Sequence, residues 1–385
     1  MWKAHDNTIL RLDHWHSSSD RIITHGRDHR LKVWQLRLED EDALSKVLPA
    51  DDVDGFGKGA EREGISKQRR MPWLLHSIEV NALNFCGFAS CTAPVSAITT
   101  VPIKPPDLIS SEQSDKAMDQ SVASLDESQS AQNDIRNILL AVPGIREGDI
   151  LIHTLPSEKI VAAIPADAAA KTGMLMALSL TVTNNTVTVI AGYENGAVAI
   201  LTQAGKVFER ISITKAHSQP VLSLDVSPSG EWAFSCGADA TVVRYSLHDE
   251  VQSEERVKVI KTKHAGQQNL NVRSDGRIFA TAGWDGRIRV YTTGSMTELA
   301  VLKWHKEGCY ALAFAEVLDD DDDEASGSQT QNTNDDDDNN NNKRMMIKTE
   351  KTVSTVRQRR LNKAQSTHMI AAGSKDAKIS LWEIY

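Results

Sequence analysis

Histidine and aspartate recur together along the chain, and these residue types can bind metal ions or act as general bases. Three pairs have nearly the same spacing, 23, 22 and 21 residues: His5 and Asp28, His217 and Asp239, and His264 and Asp285. The pairs belong to copies of one pattern, with one histidine in each copy, so the histidines are too far apart to converge on one ion or substrate. The spacing therefore predicts a structural role for each pair within its own copy.

The first copy contains four residues that can form a chain of hydrogen bonds. Asp28 in a tight turn can accept from His5, and the histidine can also pair with the hydroxyl of Thr24. That hydroxyl can meet the indole N–H of Trp34. Buried polar groups must be paired, and a fully paired network makes a turn rigid. The residues predicted for such turn networks are His5, Thr24, Asp28, Trp34, His217, Ser235, Asp239, His264, Thr281, Asp285, His305, Asp376 and Trp382.

The later copies depart from this set. Tyr245 and Tyr291 stand where the first copy has tryptophan, and Ala372 stands where the last copy needs a hydroxyl. His76 fits the role of turn histidine in a degraded second copy. The sequence therefore predicts a complete network in the first copy and partial networks in the others.

The same acids mark a repeated strand–turn–strand unit. Each acid is followed six residues later by the last residue of an alternating strand, as from Asp28 to Trp34 and from Asp376 to Trp382. Successive acids are separated by similar intervals: 47 residues from Glu147 to Glu194, 45 from Glu194 to Asp239 and 46 from Asp239 to Asp285. A period near 45 is typical of a four-stranded propeller blade. The pattern predicts an all-β WD40 β-propeller with six blade cores, whose turn acids are Asp28, Glu147, Glu194, Asp239, Asp285 and Asp376.

Two intervals exceed this period and predict insertions: 119 residues from Asp28 to Glu147 and 91 from Asp285 to Asp376. Composition indicates the same places, because polar and like-charged stretches bury too little apolar surface to offset the entropy of ordering. We expect one propeller domain over residues 1–385. Its disordered insertions are predicted at about 37–70, 104–134 and 319–366.

Composition restricts the class of protein. The net charge of −9 disfavours a general phosphate-binding surface, and no apolar run of membrane-spanning length or signal peptide is found. The four cysteines lack the spacing of a zinc site or a disulfide framework, which indicates reduced thiols in a cytosolic or nuclear protein. We expect no enzyme activity, cofactor or metal, no small-molecule substrate, no membrane and no direct nucleic-acid binding.

Three segments leave alternatives open. The stretch GFGKGAEREG (55–64) has some phosphate-loop character but lacks the full glycine spacing, which favours a plain loop. The acidic tract at 319–338 is either a solvated tract or a contact for a cation or basic partner. The basic run at 343–363, with eight basic residues against one acid, is either a nuclear-import signal or a charge-balancing loop.

Several stretches together resemble the fungal ASTRA-associated WD-repeat family, which is related to the G-protein-β-like proteins. The stretches are IITHGRDHRLKVWQL (22–36), GYENGAVAI (192–200), KAHSQPVLSLDVSP (215–228), KHAGQQNLNVRSDGRIFATAGWDGRIRVY (263–291), LKWHKEGCYALAFA (302–315) and MIAAGSKDAKISLWEIY (369–385). The resemblance implies a seven-bladed propeller in a nuclear complex linked to chromatin remodelling. It also implies association with the co-chaperones that mature phosphatidylinositol-3-kinase-related kinases.

We therefore expect a non-catalytic scaffold in the nucleus, with the cytoplasm as a second compartment. Its expected partners are the other subunits of an ASTRA-like complex, including kinase-maturation co-chaperones. The alternative function is a substrate-recruiting propeller of a ubiquitin ligase. Because WKAH (2–5) resembles the junction between two blades, we also expect a missing first blade, with a closed six-bladed ring as the alternative.

Overall fold

A computed structural model describes residues 3–15, 20–37, 72–81, 85–94, 136–247, 256–316 and 367–384. Every regular element in these ranges is a β-strand, and every ladder is antiparallel. The same ranges contain no helix that is long and apolar enough to cross a membrane. Apart from Arg37, the three predicted insertions lie outside the described residues, as does the loop at 55–64.

The first of two compact units comprises Met1–Val226 and Gly230–Lys261. It contains four sheets of four strands each, and within each sheet the strands are paired in the order of the chain. Sheet one holds β1 (Ile9–His14), β2 (Arg21–Gly26), β3 (Arg30–Gln35) and β4 (Trp73–Glu79). Sheet two holds β5 (Ala89–Pro94), β6 (Arg136–Pro143), β7 (Ile150–Leu155) and β8 (Lys159–Ile164). Sheet three holds β9 (Leu175–Thr183), β10 (Thr186–Tyr193), β11 (Ala197–Ala204) and β12 (Val207–Lys215). Sheet four holds β13 (Val221–Val226), β14 (Trp232–Gly237), β15 (Thr241–Ser246) and β16 (Val257–Lys261).

The second unit comprises Ser227–Ser229 and Thr262–Tyr385 and contains two sheets. Sheet five holds β17 (Gln267–Val272), β18 (Ile278–Gly283), β19 (Arg287–Thr292) and β20 (Glu298–Lys303). Sheet six holds β21 (Cys309–Phe314), β22 (Met369–Ser374) and β23 (Ile379–Glu383). All six predicted turn acids lie between the second and third strands of their sheets. The predicted fold class, an all-β WD40 β-propeller with about six blades present, is thus confirmed.

Burial within a sheet depends on strand position. The second strand of sheet five, IFATAG, is buried at every residue, whereas the outermost strand of sheet three, VFERISITK, is exposed or half-buried throughout. A strand that is covered on both faces carries a continuous apolar run, and an outer strand does not. This explains why the second strands have small and apolar residues before each turn acid.

The apolar cores lie between neighbouring sheets. In the first unit, sheets one and two share Ile23 and Leu140, and sheets two and three share Leu139 and Val189. Sheets three and four share a third cluster, and in the second unit sheets five and six share a fourth. No single sheet encloses a core of its own, so each repeat depends on its neighbour for burial.

A bulge recurs at the start of the first strand in four sheets. The register of that strand against the second shifts after Ile9, Val221, Gln267 and Cys309. The turn histidine precedes this residue by four positions in sheets one, four and six, but by three in sheet five. The shorter spacing places His264 differently from the other turn histidines.

Candidate functional site

The network predicted for sheet one is assembled in full. His5 Nδ1 lies 2.8 Å from Asp28 Oδ1, and its Nε2 lies 2.7 Å from Thr24 Oγ1. Trp34 Nε1 donates to the same Thr24 oxygen at 2.9 Å. A carboxylate only accepts and an indole N–H only donates, so His5 Nδ1 donates to Asp28 and Trp34 donates to the threonine oxygen. The two ends of the network therefore have defined hydrogen-bond directions.

The carboxylate of Asp28 is held in its ionised form. Burial by itself raises the pKa of Asp28, but hydrogen bonds from His5 and the Asp6 N–H, with the charges of His5 and Lys32, outweigh burial and lower the pKa. Next to this group, burial and the charge of His5 lower the pKa of His25 to about 4. Neutral His25 adds no second positive charge beside the network.

Sheet four contains a network that the sequence predicted to be partial. His217 Nδ1 lies 3.0 Å from Asp239 Oδ1, and His217 Nε2 lies 2.7 Å from Ser235 Oγ. The hydroxyl of Tyr245 lies 3.1 Å from Ser235 Oγ, so tyrosine replaces the indole of sheet one. The N–H of Ser218 donates to Asp239 Oδ2 at 2.7 Å. This network is as complete as the first, because a phenol hydroxyl reaches the same oxygen.

Sheet six also has a hydroxyl, at a position that the repeat pattern does not predict. Ser380 Oγ lies 2.8 Å from His305 Nε2 and accepts from Trp382 Nε1 at 3.0 Å. His305 Nδ1 lies 3.2 Å from the nearer oxygen of Asp376. Ala372 and Ser380 face each other across the β22–β23 ladder, so the hydroxyl has moved from one strand to the facing position. The sequence signal was a serine four residues after the turn acid.

Sheet five departs from the prediction most. His264 is 41% exposed and its Nδ1 lies 3.6 Å from Asp285 Oδ2, outside hydrogen-bond range. Arg289 binds both Asp285 oxygens instead, and its side chain is 2% exposed. Thr281 Oγ1 is buried and has no hydrogen-bond partner among the described residues. The structure therefore corrects two expectations: Asp285 is paired with an arginine, and neither His264 nor Thr281 joins the network.

Arg289 faces Thr281 across the β18–β19 ladder, at the position that Ser380 occupies in sheet six. Hydrogen bonds and charge from Arg289 outweigh burial and lower the pKa of Asp285. In sheet five the position four residues after the turn acid thus supplies the group that holds the acid. Lys32 has this position in sheet one, where its Nζ lies 3.9 Å from Asp28 Oδ2.

The turns of sheets two and three lack a histidine. In sheet two the acid that forms a hydrogen bond is Asp149, which accepts from the Ala166 N–H at 2.8 Å, whereas Glu147 is exposed. In sheet three Glu194 accepts from the Met174 N–H at 3.3 Å. His76 is not a turn histidine, since it lies within β4 and pairs with Glu158 at 2.7 Å. Asp149 lies two residues after Glu147, the acid that the six-residue spacing selected.

These networks leave little capacity for chemistry. Both ring nitrogens of His5, His217 and His305 have hydrogen-bond partners, and each of these residues is at most 9% exposed. Burial raises the pKa of the Cys91 thiol to about 12, so this thiol stays protonated at neutral pH. Across the described ranges, no three histidine, cysteine or acidic side chains are grouped to hold a metal ion. The geometry of the networks is that of structural hydrogen bonds that hold the turns in place.

One cavity of about 220 Å³ lies in the first unit. Its walls include Ile150, Ile164, Leu201 and Phe208, and the ion pair of Asp167 and Arg210 lies at its lining. This volume is below the roughly 300–1,000 Å³ of sites that enclose small-molecule ligands. The cavity supplies no grouped set of acids, bases and nucleophiles.

Comparison with known proteins assigns the repeats. The WD domain, G-beta repeat, family model matches residues 208–246 and 258–292. The ASTRA-associated protein 1 of Aspergillus niger is 40% identical over all of this chain and 86% of its own length, and that of Schizosaccharomyces pombe is 32% identical over 81% of this chain and 80% of its own length. The mouse guanine nucleotide-binding protein subunit beta-like protein 1 is 35% identical over 64% of this chain and 60% of its own length. From this similarity and the blade architecture, the chain belongs to the ASTRA-associated protein 1 family of WD-repeat proteins.

Proposed function

We propose that this protein is a non-catalytic WD-repeat scaffold subunit of a nuclear ASTRA-like complex. Its proposed role is in chromatin remodelling and in the maturation of phosphatidylinositol-3-kinase-related kinases. The observation that carries the proposal is the 40% identity to an ASTRA-associated protein over the whole chain. The proposed partners are the other subunits of the complex, including kinase-maturation co-chaperones.

The turn networks support a scaffold rather than an enzyme. In sheets one, four and six, a buried histidine ties the loop before the first strand to the turn between the second and third strands. The loop and the turn are linked by the same hydrogen-bond network, so both are rigid. The exposed residues of this loop and turn are therefore held in fixed positions. Rigid loops suit protein docking, since less conformational entropy is lost on binding.

Affinity purification of the tagged full chain from its native cells, followed by mass spectrometry, tests the proposal. The expected result is co-purification of ASTRA-like subunits with kinase-maturation co-chaperones, and lower levels of the client kinases when the protein is depleted. Cullin-type partners would instead support the ubiquitin-ligase alternative. Unchanged kinase levels together with absence of those subunits would contradict the proposal.

The nuclear location is tested separately, with a fluorescent fusion of the full chain. We expect nuclear signal that is lost when the basic run 343–363 is deleted. Deletion of the neighbouring acidic tract 319–338 is the matched control and should leave the signal nuclear. Cytoplasmic signal in the unaltered fusion would contradict this part of the proposal.

A further inference from the structure

Three exposed aromatic side chains lie on loops of the second unit: Trp284, Trp304 and Tyr310, which are 46%, 53% and 45% exposed. They belong to the turn after β18, the loop before β21 and the bulge at the start of β21. We call these residues and the loops 263–268, 303–308 and 374–378 the aromatic surface. Exposed aromatic residues that cluster are characteristic of protein interfaces, where Trp and Tyr carry much of the binding energy.

Trp284 is seated firmly on the neighbouring loop. Its indole lies on the backbone of Gly266, where an added Cβ would stand 2.2 Å from the ring. Its Nε1 donates to Gln268 Oε1 at 2.7 Å, and its backbone N–H donates to the Gly266 carbonyl at 2.9 Å. The ring is therefore fixed in position although almost half of its surface is open to solvent.

The same loops connect Trp284 to the other two rings. A Cβ at Gly308 would lie 3.1 Å from the Trp284 carbonyl oxygen and 3.2 Å from the Tyr310 ring. The N–H of Lys375 donates to the Gly308 carbonyl at 3.0 Å, and Lys378 Nζ lies 5.7 Å from the centre of the Trp304 ring. The aromatic surface is therefore one interlocked set of loops, which reduces the entropy lost on binding.

Lysines outnumber acids on the loops of the aromatic surface, although the whole chain carries a net charge of −9. The exposed lysines on these loops are Lys263, Lys303, Lys306, Lys375 and Lys378. Among the acids, Asp285 is bound by Arg289, and Asp376 is held by His305 and the Lys378 N–H. Glu307 is the remaining exposed acid in the described part of these loops. The surface thus combines apolar anchors with an excess of cations.

We propose that the aromatic surface docks an acidic segment of a partner protein, with an apolar side chain of that segment packed among the rings. Opposite charge would steer the segment and set its specificity, and the rings would supply the buried contact. A single-stranded nucleic acid would also need lysines and aromatic rings. A nucleic acid fits less well, because one face of the Trp284 ring lies on Gly266 and the Lys378 ammonium lies over the Trp304 ring. These contacts leave less ring face for base stacking.

This inference deepens the proposed scaffold role, on which it rests for the need of a partner. The test measures fluorescence anisotropy of a labelled peptide, Asp-Asp-Glu-Phe-Asp-Glu-Leu-Asp-Glu, against the purified full chain. We expect saturable binding that weakens with added salt, because exposed charges are screened. A peptide with alanine for Phe and Leu, and one with lysine for every acid, should each bind at least about tenfold more weakly, a difference of one decade in Kd.

Two double variants locate the site. The pairs Trp284→Ala with Trp304→Ala, and Lys306→Glu with Lys378→Glu, should each weaken the acidic peptide at least about tenfold. The charge-reversed pair should in turn gain affinity for the lysine peptide, which a merely misfolded protein would not do. Trp73→Ala with Lys206→Glu, two exposed residues of the first unit, is the matched control and should bind as the unaltered chain does.

Other occupants would give different results, and each would overturn the proposal. One such result is tighter binding of a single-stranded oligothymidylate that displaces the peptide. Another is self-association of the chain that the tryptophan variants abolish. A third is binding of a peptide with the sequence of residues 319–338 when the acidic test peptide does not bind. Absence of saturable peptide binding, or equal binding by all variants, would also overturn it. If the complex still co-purifies in those cases, the scaffold role stands and only the surface assignment fails.

Discussion

The guanidinium of Arg289 holds both carboxylate oxygens of Asp285, with N–O distances of 3.2 and 2.6 Å. In sheets one, four and six, the corresponding acid is held by a histidine from the loop before the first strand. In sheet five that loop is one residue shorter, and the facing strand supplies the cation instead. The acid of this turn is therefore held either by a histidine from the loop before the first strand or by an arginine from the third strand of the same sheet.

We predict that Arg289→Met destabilises the protein by about 2–3 kcal/mol, since it leaves a half-buried carboxylate without its cation. Asp285→Asn in the same chain should recover part of the loss, because the unpaired charge is gone. Arg277→Met, at an exposed site, is the control. Urea denaturation midpoints decide, and a midpoint for Arg289→Met equal to that of the control would contradict the pairing.

The repeat spacing was sufficient to predict the blades. The six-residue interval from each acid to a residue of the next strand predicted all six turns, because it spans a tight turn and most of a short strand. The location of the hydrogen-bonding groups was less predictable. Ser380 and Arg289 lie across a ladder from the expected position, and a pattern read along one strand does not contain the residue that faces it.

A second limit came from loop length. By its place in the repeat pattern His264 is equivalent to His217, although its spacing to the acid is one residue shorter. One residue in a short loop changes which way the side chain points, and His264 is consequently 41% exposed. The three histidines that do join networks all precede the bulged strand by four residues, so this spacing is the signal that distinguishes them.

Asp28→Ala should destabilise the protein more than Glu194→Ala. Loss of Asp28 leaves His5 without its acceptor inside a buried network, at a cost of about 1–3 kcal/mol. Glu194 accepts one backbone N–H at 3.3 Å from an exposed position, so less is lost there. The measurement is the denaturation midpoint of each variant, and equal midpoints would show that the network adds nothing.

Stability should fall in acid through the turn acids. Hydrogen bonds from His217 and the Ser218 N–H outweigh burial and lower the pKa of Asp239. The folded state then binds fewer protons than the unfolded chain, so the contribution is full above the ordinary pKa of about 3.9 and is lost as pH falls toward the folded pKa.

We therefore expect Asp239→Asn to flatten the rise in unfolding free energy below about pH 4. Glu209→Gln, an exposed residue of the same unit, is the control and should retain the rise. Parallel pH profiles for Asp239→Asn and the unaltered protein would rule out this role for Asp239.

Deletion of residues 319–342 should leave folding almost unchanged. The deleted segment connects β21 to β22, and its sequence has no alternating apolar pattern. The entropy of closing a loop changes only slowly with its length, by about 0.6 kcal/mol for each doubling. Thermal melting of the deletion variant should therefore stay within a few degrees of the full chain, and a larger drop would indicate that the tract packs on the sheets.

The hydroxyl of sheet six should be movable across its ladder. Ser380→Ala removes the oxygen that His305 and Trp382 share, and we expect a loss of about 1–3 kcal/mol. Ala372 faces Ser380, and sheets one and four carry their hydroxyl on the second strand, where Ala372 lies. Ala372→Ser added to Ser380→Ala should therefore restore most of the stability and the native fluorescence of Trp382. Ala371→Ser with Ser380→Ala, on the opposite face of the strand, is the matched control and should restore nothing. Equal stability of the two double variants would show that His305 needs no hydroxyl partner in this turn.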